Sequence, residues 1–164
     1  MSGRSFLGAF AMPDALETEL SIEEARSLGD YLFLRALRND VRGLMTNQTA
    51  HISYLQQLKF YVATRYRVQS TPVTIFIARR GGRRAGYLLI RQTADGAAVT
   101  EAIDEKFRQQ GIGRKLLAFA QGRYSNLVAE IRAENAASIK LHESMGFVPE
   151  GRADGGILTY RFRK

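Results

Sequence analysis

The 164-residue sequence predicts a mixed α/β domain, with a central, mostly antiparallel, twisted sheet of about six to seven strands and helices on both faces. Three observations point there. β-Branched and aromatic runs broken by turn residues form a meander in the middle of the chain. Strand and helix patterns then alternate toward the C-terminus, and the helix that begins this alternation is opened by a pair of glycines.

In chain order, residues 1–18, which begin "MSGRSFLGAFAM", form a poorly specified N-terminal segment. It has one arginine and a brief apolar run without an h-region or cleavage site, so it is not read as a signal peptide. Residues 19–164 are expected to form a single domain. "ELSIEEA" alternates Leu20, Ile22 and Glu24 against polar neighbours, which suits a short strand. The alternative is a helix running into "RSLGDYLFLRALRND", and the spacing of Leu28, Leu32, Leu34 and Leu37 favours a helix to about Leu37. "HISYLQQLKFYVATRY" opens with Ser53 as N-cap and Gln56 three residues later, a capping box. Leu55, Leu58 and Val62 then mark an apolar face.

"TPVTIFIARR" and "RRAGYLLIRQ" are strands joined by a turn at Gly81–Gly82, and "ADG" turns the chain into "AAVTEAID". After the glycine-containing loop comes a helix from about Gly113 to Gln121, which Leu116, Leu117 and Ala120 anchor on the sheet. "NLVAEIRA" is a strand and "NAASIKLHESM" a helix, with Gly146 as its C′ residue. "FVPEG" and "GILTYRFR" close the chain as strands.

Composition narrows the chemistry. The formal charge of +8 favours anionic partners: nucleic acid, a membrane surface or a phosphate-rich small molecule. The sequence contains no cysteine, which removes disulfides, thiolate metal sites and a cysteine nucleophile together. His51 and His142 are the two histidines available as imidazole ligands, so no metal site is expected. "HESMG" is half of an H-E-x-x-H zinc motif with Gly146 in place of the second histidine, and no G-x-S-x-G elbow exists. The longest apolar runs are too short to cross a bilayer, and without an export signal the cytoplasm is the expected compartment.

"RQQGIGRKLL", Arg108 to Leu117, places Gly111 and Gly113 at the start of an apolar helix. A loop that opens a helix offers N–H groups without intrahelical partners, and the helix dipole adds positive potential. Glycine lets a ligand approach that backbone, so the loop suits a phosphate or pyrophosphate. Arg108, Arg114 and Lys115 add charge. A dinucleotide fingerprint wants a small residue where Leu116 stands, and the P-loop pattern is absent. On spacing alone, an anion cradle and an ordinary glycine turn both remain open.

"RQQGIG" matches the R/Q-x-x-G-x-G/A motif of the GNAT superfamily of N-acetyltransferases, and "ENAASIKLHESMGF" resembles a later block of the same superfamily. The two blocks fall in the right order, with one helix and one strand between them. The resemblance implies an acetyl-CoA-binding fold in which the backbone from Arg108 through Gln109, Gln110, Gly111, Ile112 and Gly113 to Arg114 holds the CoA pyrophosphate. It implies that the strand near Ala102 and Ile103 pairs with the pantetheine arm, with Asn135 and Ser138 beside it. His142 stands where many relatives carry a tyrosine that protonates the leaving thiolate; "LHE" is similar to phosphinothricin-type acetyltransferases. Histidine can donate that proton, although packing is an equal alternative. Glu101, two residues before Ile103 on the same strand face, is the candidate base, and Glu130 is the second. Without cysteine, the implied route is direct attack by the amine in a ternary complex.

For the acceptor, "LRNDVRGLMTNQTAHISYLQQLKFY" loosely resembles acetyltransferases of nucleotide-linked amino sugars. The corresponding residues are Arg38, Asn39, Arg42, Ser53 and Tyr61, for which capping and surface solvation are the alternative. A sugar nucleotide brings a diphosphate for the basic residues, so a small-molecule amine is favoured. A protein, peptide or aminoacyl-RNA amine stays open, as does a non-catalytic RNA-binding module on the same fold. Nucleic acid is a disfavoured partner that the charge alone would allow, a homodimer is allowed, and no membrane partner is expected.

Overall fold

In the computed structural model, which describes residues 19–164 except 48, 67, 69, 70 and 154, seven strands build one sheet. They are β1 (Leu20–Glu24), β2 (Val73–Arg80), β3 (Arg83–Thr93), β4 (Gly96–Ile103), β5 (Asn126–Arg132), β6 (Val148–Ala153) and β7 (Ile157–Arg163). Their spatial order is β1-β2-β3-β4-β5-β7-β6, and every neighbouring pair is antiparallel except β4–β5. Among the described residues the α-helices are α1 (Leu28–Asp40), α2 (Tyr54–Arg65), α3 (Ile112–Gln121) and α4 (Ala136–Ser144). The segment expected over residues 1–18 lies outside the described residues.

The N-terminal ambiguity resolves into a strand followed by a helix. Leu20–Glu24 pairs with β2, from Leu20↔Arg80 to Glu24↔Phe76, so its alternation is that of a strand. The helix begins only after Ser27, whose hydroxyl accepts from Asp30 N at 3.1 Å while Asp30 Oδ2 accepts from Ser27 N at 3.2 Å. That cap, not the leucine spacing, sets the boundary, and α1 runs on to Asp40.

The apolar faces of α1 and α2 also differ from the leucine patterns. α1 buries Tyr31, Leu34 and Leu37, whereas Leu28 and Leu32 are 42% and 37% exposed. On α2 the capping box at Ser53 forms as expected, but Leu55, Leu58 and Val62 face outward. The opposite face packs instead, with Phe60 and Tyr61 centred 6.0 and 4.9 Å from the Tyr31 ring. Aromatic rings bury more area than leucines, and their mutual contacts decide which face of α2 turns inward.

The sheet is covered on both sides. Leu88 and Ile90 of β3 join Val99, Leu116, Leu117, Leu127 and Phe147 in the core under α3 and α4. Tyr87 and Leu89, pointing the other way, join Tyr31, Leu34, Leu37, Ile75 and Ile77 under α1 and α2. A strand buried on both faces reads as a continuous apolar run, which explains "AGYLLI".

Asp30 fixes α1 to the β2–β3 hairpin. Its Oδ1 accepts from Arg79 Nη2 at 2.6 Å and Arg84 Nε at 2.8 Å, while Oδ2 takes the Arg26 and Ser27 N–H groups. Burial pushes this carboxyl up, but the Arg84 and Ser27 hydrogen bonds outweigh it and hold it well below the usual carboxylate range.

The site is positioned by a break in sheet pairing. β4 and β5 pair only where Ala97–Val99 meets Leu127–Ala129. Beyond that point β4 continues to Ile103 and β5 to Arg132, each still paired on its far side with β3 and β7. The sheet therefore opens into a V. Its limbs, 100–103 and 130–132, turn unpaired backbone groups toward each other.

Candidate functional site

A cavity of about 570 Å³ occupies this V, within the range of small-molecule sites. Its walls include Thr100, Glu101, Ala102 and Ile103 from β4, and Ala129, Glu130 and Ile131 from β5.

The glycine loop forms one end. Past Ile103, Asp104 N donates to Ala85 O at 2.9 Å, and the Asp104 carboxylate accepts from Lys106 N at 2.9 Å, starting a 3-10 turn at Glu105–Phe107. Gln109 (φ 60°) and Gly111 (φ 75°) then swing the chain into α3. The first bond of α3 runs from Lys115 N to Gly111 O at 3.2 Å, so the N–H groups of Ile112, Gly113 and Arg114 lack intrahelical partners. Arg108, Gln109, Gly111, Ile112, Gly113 and Arg114 line the cavity, and this arrangement can hold an anion on backbone donors. Gln110 does not line it; its side chain donates to Lys106 O at 3.2 Å.

The two glycines serve different needs. Gly111 is the left-handed N-cap, and a β-carbon there meets no protein atom within 4 Å, so the space above it is open. Gly113 lies within the helix, where a β-carbon would stand 2.9 Å from Leu141 Cδ2. Leu116, Leu117 and Ala120 are fully buried and anchor α3 as the sequence indicates.

α4 forms another wall. Asn135 caps it, its Oδ1 accepting from Ser138 N at 3.2 Å, and both residues line the cavity. His142, 1% exposed, packs edge-on against Phe147 with ring centroids 4.9 Å apart. Its Nδ1 lies 2.9 Å from Ser138 O and 3.3 Å from Ser138 Oγ. Nε2 lies 3.7 Å from Glu101 Oε2 and is buried with no hydrogen-bond partner. The two residues assigned separate tasks from sequence are thus neighbours. Burial pushes the Glu101 carboxyl up, and the adjacent His142 opposes that rise.

The residues expected at the acceptor end divide. Arg38 lines the cavity, and its Nε is buried without a partner. Asn39, Arg42, Ser53 and Tyr61 do not line it. Asn39 clamps Ile52, accepting its N–H at 2.8 Å and donating to its carbonyl at 3.1 Å. Ser53 is spent on the α2 cap, Tyr61 on Tyr31, and Arg42 opens the 3-10 turn Arg42–Leu44. Glu130 is at the wall, exposed, accepting from Asn47 Nδ2 at 3.1 Å.

Sequence reading missed the turn after α1. Leu44, Met45, Thr46 and Asn47 line the cavity, and Arg132 Nε donates to Met45 O at 2.8 Å, lacing the turn to β5. "LMTN" carries no motif, so only tertiary contacts bring it there. Tyr87 does not line the cavity; its buried hydroxyl has no partner, and burial pushes its pKa up. Among the described residues no cluster of three or more His, Cys, Asp or Glu offers a metal site. No described helix is long and apolar enough to cross a membrane.

Residues 71–149 match the family model described as an acetyltransferase (GNAT) domain. The ribosomal protein bS18-alanine N-acetyltransferase of Escherichia coli (strain K12) is 33% identical over 78 residues, covering 44% of this chain and 53% of that protein. The chain thus spans about half the length of that relative. A domain from Methanocaldococcus jannaschii superposes with TM-score 0.74 at 18% identity, covering 90% of this chain and 99% of that one. A ribosomal-protein-alanine N-acetyltransferase from Brucella melitensis gives TM-score 0.70 at 25% identity, with 88% and 99% covered.

Proposed function

The chain belongs to the GNAT superfamily, and on that premise we propose that it is an acetyl-CoA-dependent N-acetyltransferase in which a primary amine attacks directly in a ternary complex. The observation that carries this reading is the V between β4 and β5 with a helix N-terminus at its mouth. Unpaired strand backbone suits an amide-bearing arm, and free N–H groups suit a pyrophosphate, so the residues present fit acetyl-CoA. In this reading the backbone from Arg108 to Arg114 holds the pyrophosphate. Ala102 and Ile103 pair with the arm, and Asn135 and Ser138 lie beside it.

Bound acetyl-CoA supplies an acetyl group as a thioester. The amine nitrogen must be neutral to attack it. As the N–C bond forms and the C–S bond breaks, the electron pair leaves on sulfur, and one proton passes from nitrogen to the enzyme's acid–base groups and on to the thiolate. Glu101 takes the base role. Its burial raises its proton affinity, which suits a group that must capture an amine proton near neutral pH. Glu130, exposed at the opposite limb, is the second candidate and is better placed to attract an incoming ammonium.

For the acceptor we favour a small-molecule amine that also carries an anionic group, such as a nucleotide-linked amino sugar. Arg38 supports this choice: a partly buried guanidinium on the cavity wall whose Nε has no partner calls for a carboxylate or phosphate. A second reading, a protein α-amine, is supported by the names of the relatives in Escherichia coli and Brucella melitensis. Thermal-shift and thiol-release assays with acetyl-CoA, against anionic amines and alanine-starting peptides, test both. Stabilisation by acetyl-CoA with thiol release on one panel is expected, and no stabilisation by acetyl-CoA or CoA would overturn the reading.

A further inference from the structure

We infer that Glu101 and His142 hold a single proton between them and work as one acid–base unit, with the Ser138 carbonyl selecting the ring nitrogen that takes part. A carbonyl oxygen only accepts, so the 2.9 Å contact to Ser138 O places a proton on Nδ1 in both the neutral and the charged ring. Nε2 is then the nitrogen that gains and loses a proton. It is buried, without another partner, and 3.7 Å from Glu101 Oε2.

The occupancy follows from counting protons. With none on the Oε2–Nε2 side, the Glu101 carboxylate faces the bare lone pair of a buried Nε2, which is left unsatisfied. With two, an imidazolium is buried beside a neutral acid, and its charge has no counterion. One proton leaves the pair without net charge, either as a neutral acid beside a neutral ring or as an ion pair at 3.7 Å. Other titratable groups make no direct hydrogen bond or ion pair with these two side chains. Glu143, next to His142 on α4, accepts from the Tyr160 hydroxyl at 3.0 Å. Tyr87 on β3 points to the other face of the sheet. Arg38, Arg91, Arg108, Arg114 and Glu130 stand around the cavity, and none of them forms a hydrogen bond or ion pair with either member of the unit.

The consequence for turnover rests on the acetyl-transfer reading. When the N–C bond forms, the amine proton moves to the Glu101 carboxylate and the unit briefly carries two protons. One then reaches the thiolate as the C–S bond breaks, and the unit returns to one. His142 is accordingly a positioning residue that sets the charge state of Glu101.

The test is nuclear magnetic resonance of the full chain labelled at histidine, where His51 and His142 are the only two signals. The expected result is an Nδ1–H tautomer for neutral His142 and Nε2 signals that move in Glu101→Gln, which removes the partner that shares the proton. An Nε2–H tautomer, or Nε2 signals unchanged by Glu101→Gln, would overturn the proposal. The tautomer is read without any variant, so a Glu101→Gln protein that fails to fold does not shield the idea. Because acetyl-CoA is absent from the experiment, a wrong tautomer sinks the unit while leaving acetyl transfer standing. Failure to bind acetyl-CoA does the reverse.

Discussion

Gly113 lies directly beneath Leu141: a β-carbon on Gly113 would stand 2.9 Å from Leu141 Cδ2, closer than side chains tolerate. This contact joins the helix that opens on the glycine loop to the helix that carries Ser138 and His142. Gly113→Val should destabilise the fold by about 1–3 kcal/mol, the usual cost of overpacking. Leu141→Ala should relieve part of it, so the double variant falls short of the summed singles by more than about 0.5 kcal/mol. Urea melts of the four proteins measure the coupling, and strict additivity would show that the contact is not what demands glycine.

Gly111 answers a different demand. Its φ of 75° strains a valine, while the space above it is open. Gly111→Asn keeps a residue type that accepts the left-handed conformation but adds a side chain over the free N–H groups. Acetyl-CoA should then no longer raise the melting temperature, although the unliganded protein melts within a few degrees of wild type. Undiminished stabilisation by acetyl-CoA would remove the backbone cradle from the mechanism.

Glu101→Gln should leave acetyl-CoA affinity intact and lower kcat by about 10²–10⁴-fold, the range for a lost general base. His142 lowers the proton affinity that burial gives Glu101. Removing it in His142→Gln therefore raises that affinity further, keeps the base protonated to higher pH, and moves the acidic limb of kcat/KM upward. A limb that stays in place would separate the two residues functionally.

Asp30 links pH to stability. Its folded pKa lies below the ordinary carboxylate value, so its contribution is fully present above about pH 4 and is lost as pH falls toward the folded pKa. Asp30→Ala leaves Arg84 without its acceptor and Arg79 with Glu23 at 4.0 Å, and should cost about 2–3 kcal/mol, less than a fully buried pair because both arginines reach solvent. Thermal melts from pH 3 to pH 7 should show a flatter acid slope in the variant.

Arg38→Gln should raise KM for anionic amines by about 10–100-fold, the worth of a charge-assisted hydrogen bond, with little change for neutral amines of the same shape. Equal losses on both would make Arg38 a structural residue.

Local chemistry was enough to read much of this protein from its sequence. The capping box at Ser53, the Gly81–Gly82 turn, the meander and the glycine-opened helix depend on residues adjacent in the chain, and each forms as read. What the sequence by itself determined was the inventory of strands from Val73 onward, the anchor residues of α3 and the presence of a donor-rich loop after Ile103. Tertiary structure alone decided three further matters. Aromatic packing on Tyr31 chose the buried face of α2 against its leucine stripe. The loss of pairing past Val99 opened the cavity, a property of two strands distant in sequence. Tertiary packing set His142 Nε2 3.7 Å from Glu101, because distance in space, not spacing in sequence, governs whether two groups act on each other's protons.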